Sequence, residues 1–275
     1  MQVISLMWLR TVINYQYRHG VSMFAAIEQL FKEGGVGRFY QGVTYALIQN
    51  PLSKFGSVAA NEGSRALLLL ARGHASPLLA SVLGTILSMV WKVLLMPLET
   101  AKTILQVEGT EGFQLLLQKV RGGGWGVLFE GTAATLLATC SSHYPWFFVH
   151  NWLDHTLPPA SEQDSGCVAL RAAAVGLAAA AASDICSNAL RVVKTVKQAL
   201  SVHQASSYSY VEVVRRVLAE GGLGALVGRG LLTRLLANGL QSAIFTALWK
   251  LLPILAQRRR AAIRAAEPAE ATEAE

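Results

Sequence analysis

The sequence predicts an all-α membrane protein of three tandem units, each a pair of long helices joined by a short helix lying at the membrane surface. Three observations carry this reading. The 275 residues are 52% hydrophobic and 15% charged, with a mean hydropathy of +0.38, whereas a soluble domain carries about 25% charged residues. Short phrases recur 92 positions apart. After each phrase come an amphipathic stretch, a glycine cluster and a second apolar run, the mark of a repeat architecture.

The first unit is expected to place a long helix over 1–16, a surface helix near 22–32 and a second long helix over 42–70. The second unit places them over 77–107, near 111–120 and over 131–157, and the third over 166–200, near 208–219 and over 230–257. Most of the long helices exceed the roughly 20 residues needed to cross a hydrocarbon core. In the last surface helix Val211, Val214 and Leu218 recur at helical spacing and leave Glu212, Arg215 and Arg216 on the other face, which suits an interface. Gly73, Pro158 and Pro159 mark 71–76 and 158–165 as loops. A single helical domain thus covers 1–257. Residues 258–275 turn from Arg258-Arg259-Arg260 to the acidic stretch Glu267 to Glu275, a tail expected to be disordered.

The register is carried by Ser5-Leu6-Met7-Trp8-Leu9-Arg10-Thr11, Pro97-Leu98-Glu99-Thr100-Ala101-Lys102-Thr103 and Ala189-Leu190-Arg191-Val192-Val193-Lys194-Thr195. Asn14, Gln106 and Gln198 follow each basic residue by four, and Gly84 and Gly176 keep the same spacing upstream. Downstream lie Gly34-Gly35-Val36-Gly37, Gly122-Gly123-Gly124-Trp125-Gly126 and Gly221-Gly222-Leu223-Gly224, read as helix terminators. Tyr40-Gln41-Gly42, Phe129-Glu130-Gly131 and Val227-Gly228-Arg229-Gly230 then open the second long helices. Lys92, Glu99 and Lys102 sit inside a long apolar helix, where an ionisable group is expensive unless it faces a water-filled cavity.

Other chemistries lack support. A net charge of +7 raises the question of nucleic acid, but the basic residues flank apolar runs and form no cluster interleaved with aromatics, so no nucleic-acid partner is expected. The glycine clusters lack the lysine and strand context of a phosphate loop. His143, His150 and His155 are spaced by seven and five, which does not put all three on one helix face, and Cys140, Cys167 and Cys186 are far apart. No metal, cofactor or catalytic constellation is expected, and the chain is not read as an enzyme. Tyr15, Tyr17, Tyr144, Trp146 and Trp152 are read as interfacial, packing or cavity-lining aromatics.

These residues resemble the mitochondrial carrier family, whose signature P-x-[DE]-x-x-[KR] ends each odd-numbered helix. Pro97-Leu98-Glu99-Thr100-Ala101-Lys102 satisfies it fully, and Arg38-Phe39-Tyr40-Gln41-Gly42 and Arg229-Gly230-Leu231-Leu232-Thr233-Arg234, followed by Gln241-Ser242, are similar to family phrases. The resemblance implies six tilted helices about a pseudo-threefold axis in the mitochondrial inner membrane, with the short helices on the matrix side. It implies a small-molecule substrate bound near mid-membrane, membrane lipid such as cardiolipin as a partner, and two charge networks that open alternately. In the first copy the equivalent of Gly84 would precede Met1, so the first helix is expected to lack its outer half, the sequence starting within it.

The resemblance assigns a matrix gate to Arg10, Glu99, Lys102, Arg191 and Lys194, with Gln106 and Gln198 as braces. Met7 and Arg191 stand where acids belong, so only Glu99 with Lys194 survives as a pair, Lys102 faces Met7, and Arg10 faces Arg191. The opposite gate maps to Glu62 and Arg65, then Asn151 and Asp154, then Lys250 and Pro253, with Lys250 conjectured to meet Asp154 or Glu62. Substrate contacts map to Gln49 and Asn50, Ala138 and Thr139, and Ala237 and Asn238. None is charged. Arg234 matches a common family arginine, so no anionic substrate is assigned from it. Two functions follow: transport of a small metabolite by alternating access, or a carrier-derived scaffold that serves as a subunit of a membrane protein complex.

Overall fold

The computed structural model describes residues 2–72, 77–158, 165–204 and 208–241, and the regular elements among them are all helical. Helix α1 (Gln2–Ser5) and α2 (Met7–His19) are separated at Leu6. The helix expected over 1–16 therefore carries a break and runs three residues further. It stops at Gly20, which adopts φ 69° and returns its N–H to Gln16 O at 2.8 Å, the left-handed cap that glycine makes at least cost.

The surface helices end where the glycine clusters predict. In α3 (Met23–Phe39), capped by Ser22 Oγ accepting from the Ala25 N–H, Gly34 and Gly35 both leave helical φ/ψ, so the first helical segment stops there and a second, shorter one follows. The same happens at Gly221-Gly222 of α10 (Tyr210–Gly228), whose start carries a capping box of Ser209 and Glu212. Gly35 (φ 59°, ψ −149°) and Gly222 (φ 65°, ψ −159°) occupy a backbone region closed to residues with a Cβ, and a helix resumes after each. Arg38, in the short segment beyond the first break, donates to carbonyls at 105–107. In the middle copy α7 (Gly109–Arg121) stops at Gly122, and a 3-10 turn over Trp125–Phe129 follows in place of a second helical segment.

The long helices are α4 (Val43–Arg72), α8 (Thr132–Thr156) and α9 (Ser165–His203). At 1.5 Å per residue the 30 residues of α4 reach about 45 Å. The helix expected over 77–107 is instead two, α5 (Pro77–Leu94) and α6 (Met96–Val107), broken at Leu95 and bent by 56°. Pro97 is the cause: it sits in the first turn of α6, supplies no N–H to the preceding turn, and its ring crowds the carbonyl four residues back. A last helix, α11, occupies 231–241. The remainder of the helix expected to 257, with Lys250, Pro253 and the tail, lies outside the described residues.

Helices α2, α6 and α9 touch one another pairwise, α4 runs along α5, and α8 along α9. Small residues permit the close crossings. A Cβ on Gly84 would lie 2.7 Å from Asn61 Oδ1, and Ser64 Oγ donates to Ala80 O at 2.9 Å across the same contact. Polarity is arranged opposite to a soluble protein. Ser64, Thr100, Asn188 and Gln198 are fully buried, whereas Leu70 is 87% exposed and Leu232 71%, with Phe55, Val58, Ile86, Phe148 and Leu170 also facing out. An apolar exterior of this extent needs lipid against it.

By length and hydropathy alone, one described helix qualifies as a span, Gly166–His203 with mean hydropathy 1.6, and the bent pair Val82–Leu94 with Met96–Val107 qualifies if counted as one. Helix α4 carries Asn61, Glu62, Ser64 and Arg65 in its second half, and such inward and end polarity lowers a whole-helix average.

Candidate functional site

Three glycines set the geometry. Gly42, Gly131 and Gly230 have φ of 84°, 81° and 63° and stand just before α4, α8 and α11. A Cβ on Gly42 would lie 3.1 Å from Lys102 O, on Gly131 3.1 Å from Lys194 Cγ, and on Gly230 2.9 Å from Tyr17 Cε1. Each second helix thus starts pressed against α6, α9 and α2 in turn, and the three contacts close a ring.

That ring encloses a cavity of about 360 Å³. Its floor holds Arg10, Glu99, Lys102, Arg191 and Lys194 together, drawn from α2, α6 and α9. Lys194 Nζ donates to Glu99 Oε1, and both side chains are largely buried. Lys102 donates to Gln49 Oε1 of α4, a stronger acceptor than the Met7 thioether that lines the same cavity. Arg191 Nε donates to Ser187 Oγ at 3.1 Å, one turn back on its own helix, and the Arg10 guanidinium makes no hydrogen bond or ion pair among the described residues.

The two glutamines bridge helices, each to a different neighbour. Gln106 accepts from Asn14 Nδ2 at 2.6 Å and donates to Thr11 Oγ1 at 3.4 Å and Met7 Sδ at 3.6 Å, tying α6 to α2. Gln198 Nε2 donates to Thr100 Oγ1 at 3.0 Å, tying α9 to α6.

Of the mapped contact positions, Gln49, Ala138, Thr139, Ala237 and Asn238 line the cavity, and Asn50 does not. Asp184, which sequence reasoning passed over, and Lys92, expected to face a cavity, stand beside them. Asp184 is 4% exposed and accepts from Arg234 Nε at 2.6 Å and from Asn238 Nδ2, and Lys92 Nζ donates to Thr139 Oγ1 at 2.9 Å. The signal was available: Asp184 lies 92 positions after Lys92. Tyr17, read as a general aromatic, lines the cavity and donates to Asn188 Oδ1 at 2.9 Å.

The opposite network is not a ring among the described residues. Glu62 and Arg65 pair only with each other, at 3.9 Å along one exposed face of α4. Asp154 is held by Arg171 Nη1 at 2.6 Å, and the same guanidinium caps the carbonyls of Asp154, Leu157 and Pro158, so it staples the end of α8 to α9. Asn151 is exposed, and Lys250 lies outside the described residues. A second cavity of about 520 Å³ shares Lys92 and Thr139 with the first and continues toward this end past Asn61, Ser88 and His143. His150 stacks on Trp146 with centroids 4.9 Å apart, and among the described residues no group of three His, Cys, Asp or Glu is placed to hold a metal.

Comparison with known proteins agrees with this architecture. No curated protein matches the chain. A family model described as mitochondrial carrier protein matches it twice, over residues 73–160 and again over 167–257. Those two stretches cover more than half of the 275 residues, and the chain belongs to the mitochondrial carrier family.

Proposed function

We propose that the chain carries a small metabolite across the mitochondrial inner membrane by exchange, through alternating access to the central cavity. The observation that supports this most is a polar, charged cavity inside a helical ring whose outer surface is apolar. A soluble protein has no use for that inversion, and a membrane protein that only anchors has no need of the cavity. The ring formed by Gly42, Gly131 and Gly230 supports a threefold arrangement of units over 1–257.

In this reading Glu99, Lys102 and Lys194, with the glutamine braces, close one end, while the end carrying Asp154 and Arg171 stands open. Gln49, Thr139 and Asn238 contact the substrate, and a bound substrate that interacts differently with the two states shifts the balance between them. The test is counterflow in liposomes holding the purified full chain, against a panel of mitochondrial metabolites. Uptake of one chemical class, abolished by Lys102→Ala with Lys194→Ala, is the expected result; liposomes that exchange nothing would overturn the reading.

A further inference from the structure

The cavity holds more positive charge than the described residues neutralise. Arg10, Lys92, Lys102, Arg191, Lys194 and Arg234 all line it. Two carboxylates answer them, Glu99 at Lys194 and Asp184 at Arg234. Among the described residues the other four cations have no carboxylate in salt-bridge contact: Lys92 meets a threonine hydroxyl, Lys102 a glutamine oxygen, Arg191 a serine hydroxyl, and the Arg10 guanidinium no partner. The stretch 242–257 contains no Asp or Glu, so it supplies none to them.

The four fall into two groups. Arg10 and Arg191, on α2 and α9, each lie within electrostatic reach of Arg234 on α11, which puts three guanidinium groups against one aspartate. Lys92 and Lys102, on α5 and α6, both lie near the Glu99–Lys194 pair, and the two groups adjoin, Lys92 lying near Arg191 and Lys102 near Arg10. Each group keeps two uncompensated charges. Cations held away from bulk water without a partner are costly, and a guanidinium pair offers the forked geometry that a carboxylate or a phosphoryl group accepts.

The uncharged contact positions also take on a meaning. Gln49 holds Lys102, Thr139 holds Lys92, and Asn238 holds Asp184. Their neutrality therefore does not argue against an anionic substrate, because they orient the charges instead of supplying them.

We infer that the cavity takes a small organic or inorganic anion with at least two negative charges, one end at Arg10 and Arg191 and the other at Lys92 and Lys102. The inference rests on the carrier reading above. A singly charged ligand would leave one of the two groups unanswered.

The experiment is thermal unfolding of the full chain in mild detergent at constant ionic strength. The probes are malonate, succinate, glutarate and inorganic phosphate, with acetate, choline and glucose as comparisons. A ligand that binds only the folded state raises its apparent stability. A saturable rise with a dicarboxylate or with phosphate, much weaker with acetate, is expected, and which of the two acts separates carboxylate from phosphoryl recognition. Arg191→Gln and Lys92→Gln should each weaken that ligand about tenfold or more. Both variants remove an unpaired charge, so their unliganded melting temperatures should match or exceed the parent's, which shows that they fold. No rise with any dianion, or a rise unchanged in both variants, would overturn the inference. A rise with choline or glucose alone would overturn it and leave the carrier reading standing, and no rise with any probe combined with absent counterflow would remove both.

Discussion

Lys194 of α9 donates to Glu99 of α6, 95 positions earlier in the chain, and this ion pair joins two helices at the floor of the cavity. The side chains are 14% and 19% exposed, which places the pair between a surface bridge and a sealed one. Glu99→Gln should therefore cost about 2 kcal/mol, between the ~1 kcal/mol of exposed pairs and the ~3–5 kcal/mol lost when one partner of a buried pair is removed. The exchange Glu99→Lys with Lys194→Glu should recover most of the melting temperature that either single change loses. If the double variant melts no higher than the singles, the pair is not what holds α6 to α9.

Gly42 carries the close approach of α4 to α6. With φ at 84° and a backbone carbonyl 3.1 Å from the site of a Cβ, Gly42→Ala meets both an unfavourable conformation and an atom that cannot rotate away. The left-handed conformation alone costs about 1–2 kcal/mol, and the melting temperature should fall accordingly. Gly37→Ala is the comparison, since a Cβ there meets nothing within 4 Å, φ is not positive and the site is helical. It should be neutral or stabilise by up to about 1 kcal/mol.

Arg38 donates to the carbonyls of Leu105, Gln106 and Val107 at 3.0, 3.1 and 2.9 Å and to Glu33 at 2.9 Å, while only 4% exposed. It closes the last turn of α6 with a planar set of donors that a lysine cannot reproduce. Arg38→Lys should lower stability by about 1–3 kcal/mol, read as a shift in the thermal melt. An unchanged melt would show that the carbonyls find other donors.

The apolar exterior makes a further contrast available on one helix. Ile86 of α5 is exposed, while Ser88, two residues on, lines the second cavity. An aspartate in lipid costs about 2.5–3.5 kcal/mol by insertion scales, so Ile86→Asp should reduce the fraction that resists alkaline extraction from membranes. Ser88→Asp should not. Equal loss for both would argue that α5 does not present Ile86 to lipid.

Sequence periodicity made the helical architecture legible, because a spacing of 92 places Arg10, Lys102 and Lys194 at equivalent points whatever their surroundings. What it could not give was partner choice. Lys102 pairs with Gln49 and Asp154 with Arg171, and those contacts depend on how far a long side chain reaches between helices, which no register encodes. Asp184 escaped notice because its partner, Arg234, follows 50 positions later on another helix. The glycine pairs were legible as helix breaks, because a Gly-Gly step lets the backbone leave helical φ/ψ, whereas the short segment that resumes beyond each pair was not.

Access to the cavity from one side is the central claim, and cysteine accessibility tests it most directly. With Cys140, Cys167 and Cys186 replaced by serine, Thr139→Cys puts a thiol on the wall shared by both cavities. A membrane-impermeant maleimide should label it from the side bearing Asp154 and Arg171 and not from the other. Adding Glu99→Gln should open labelling from the second side, because the Lys194 pair no longer closes the floor. A thiol that resists labelling from both sides would mean a sealed core, and would contradict the account.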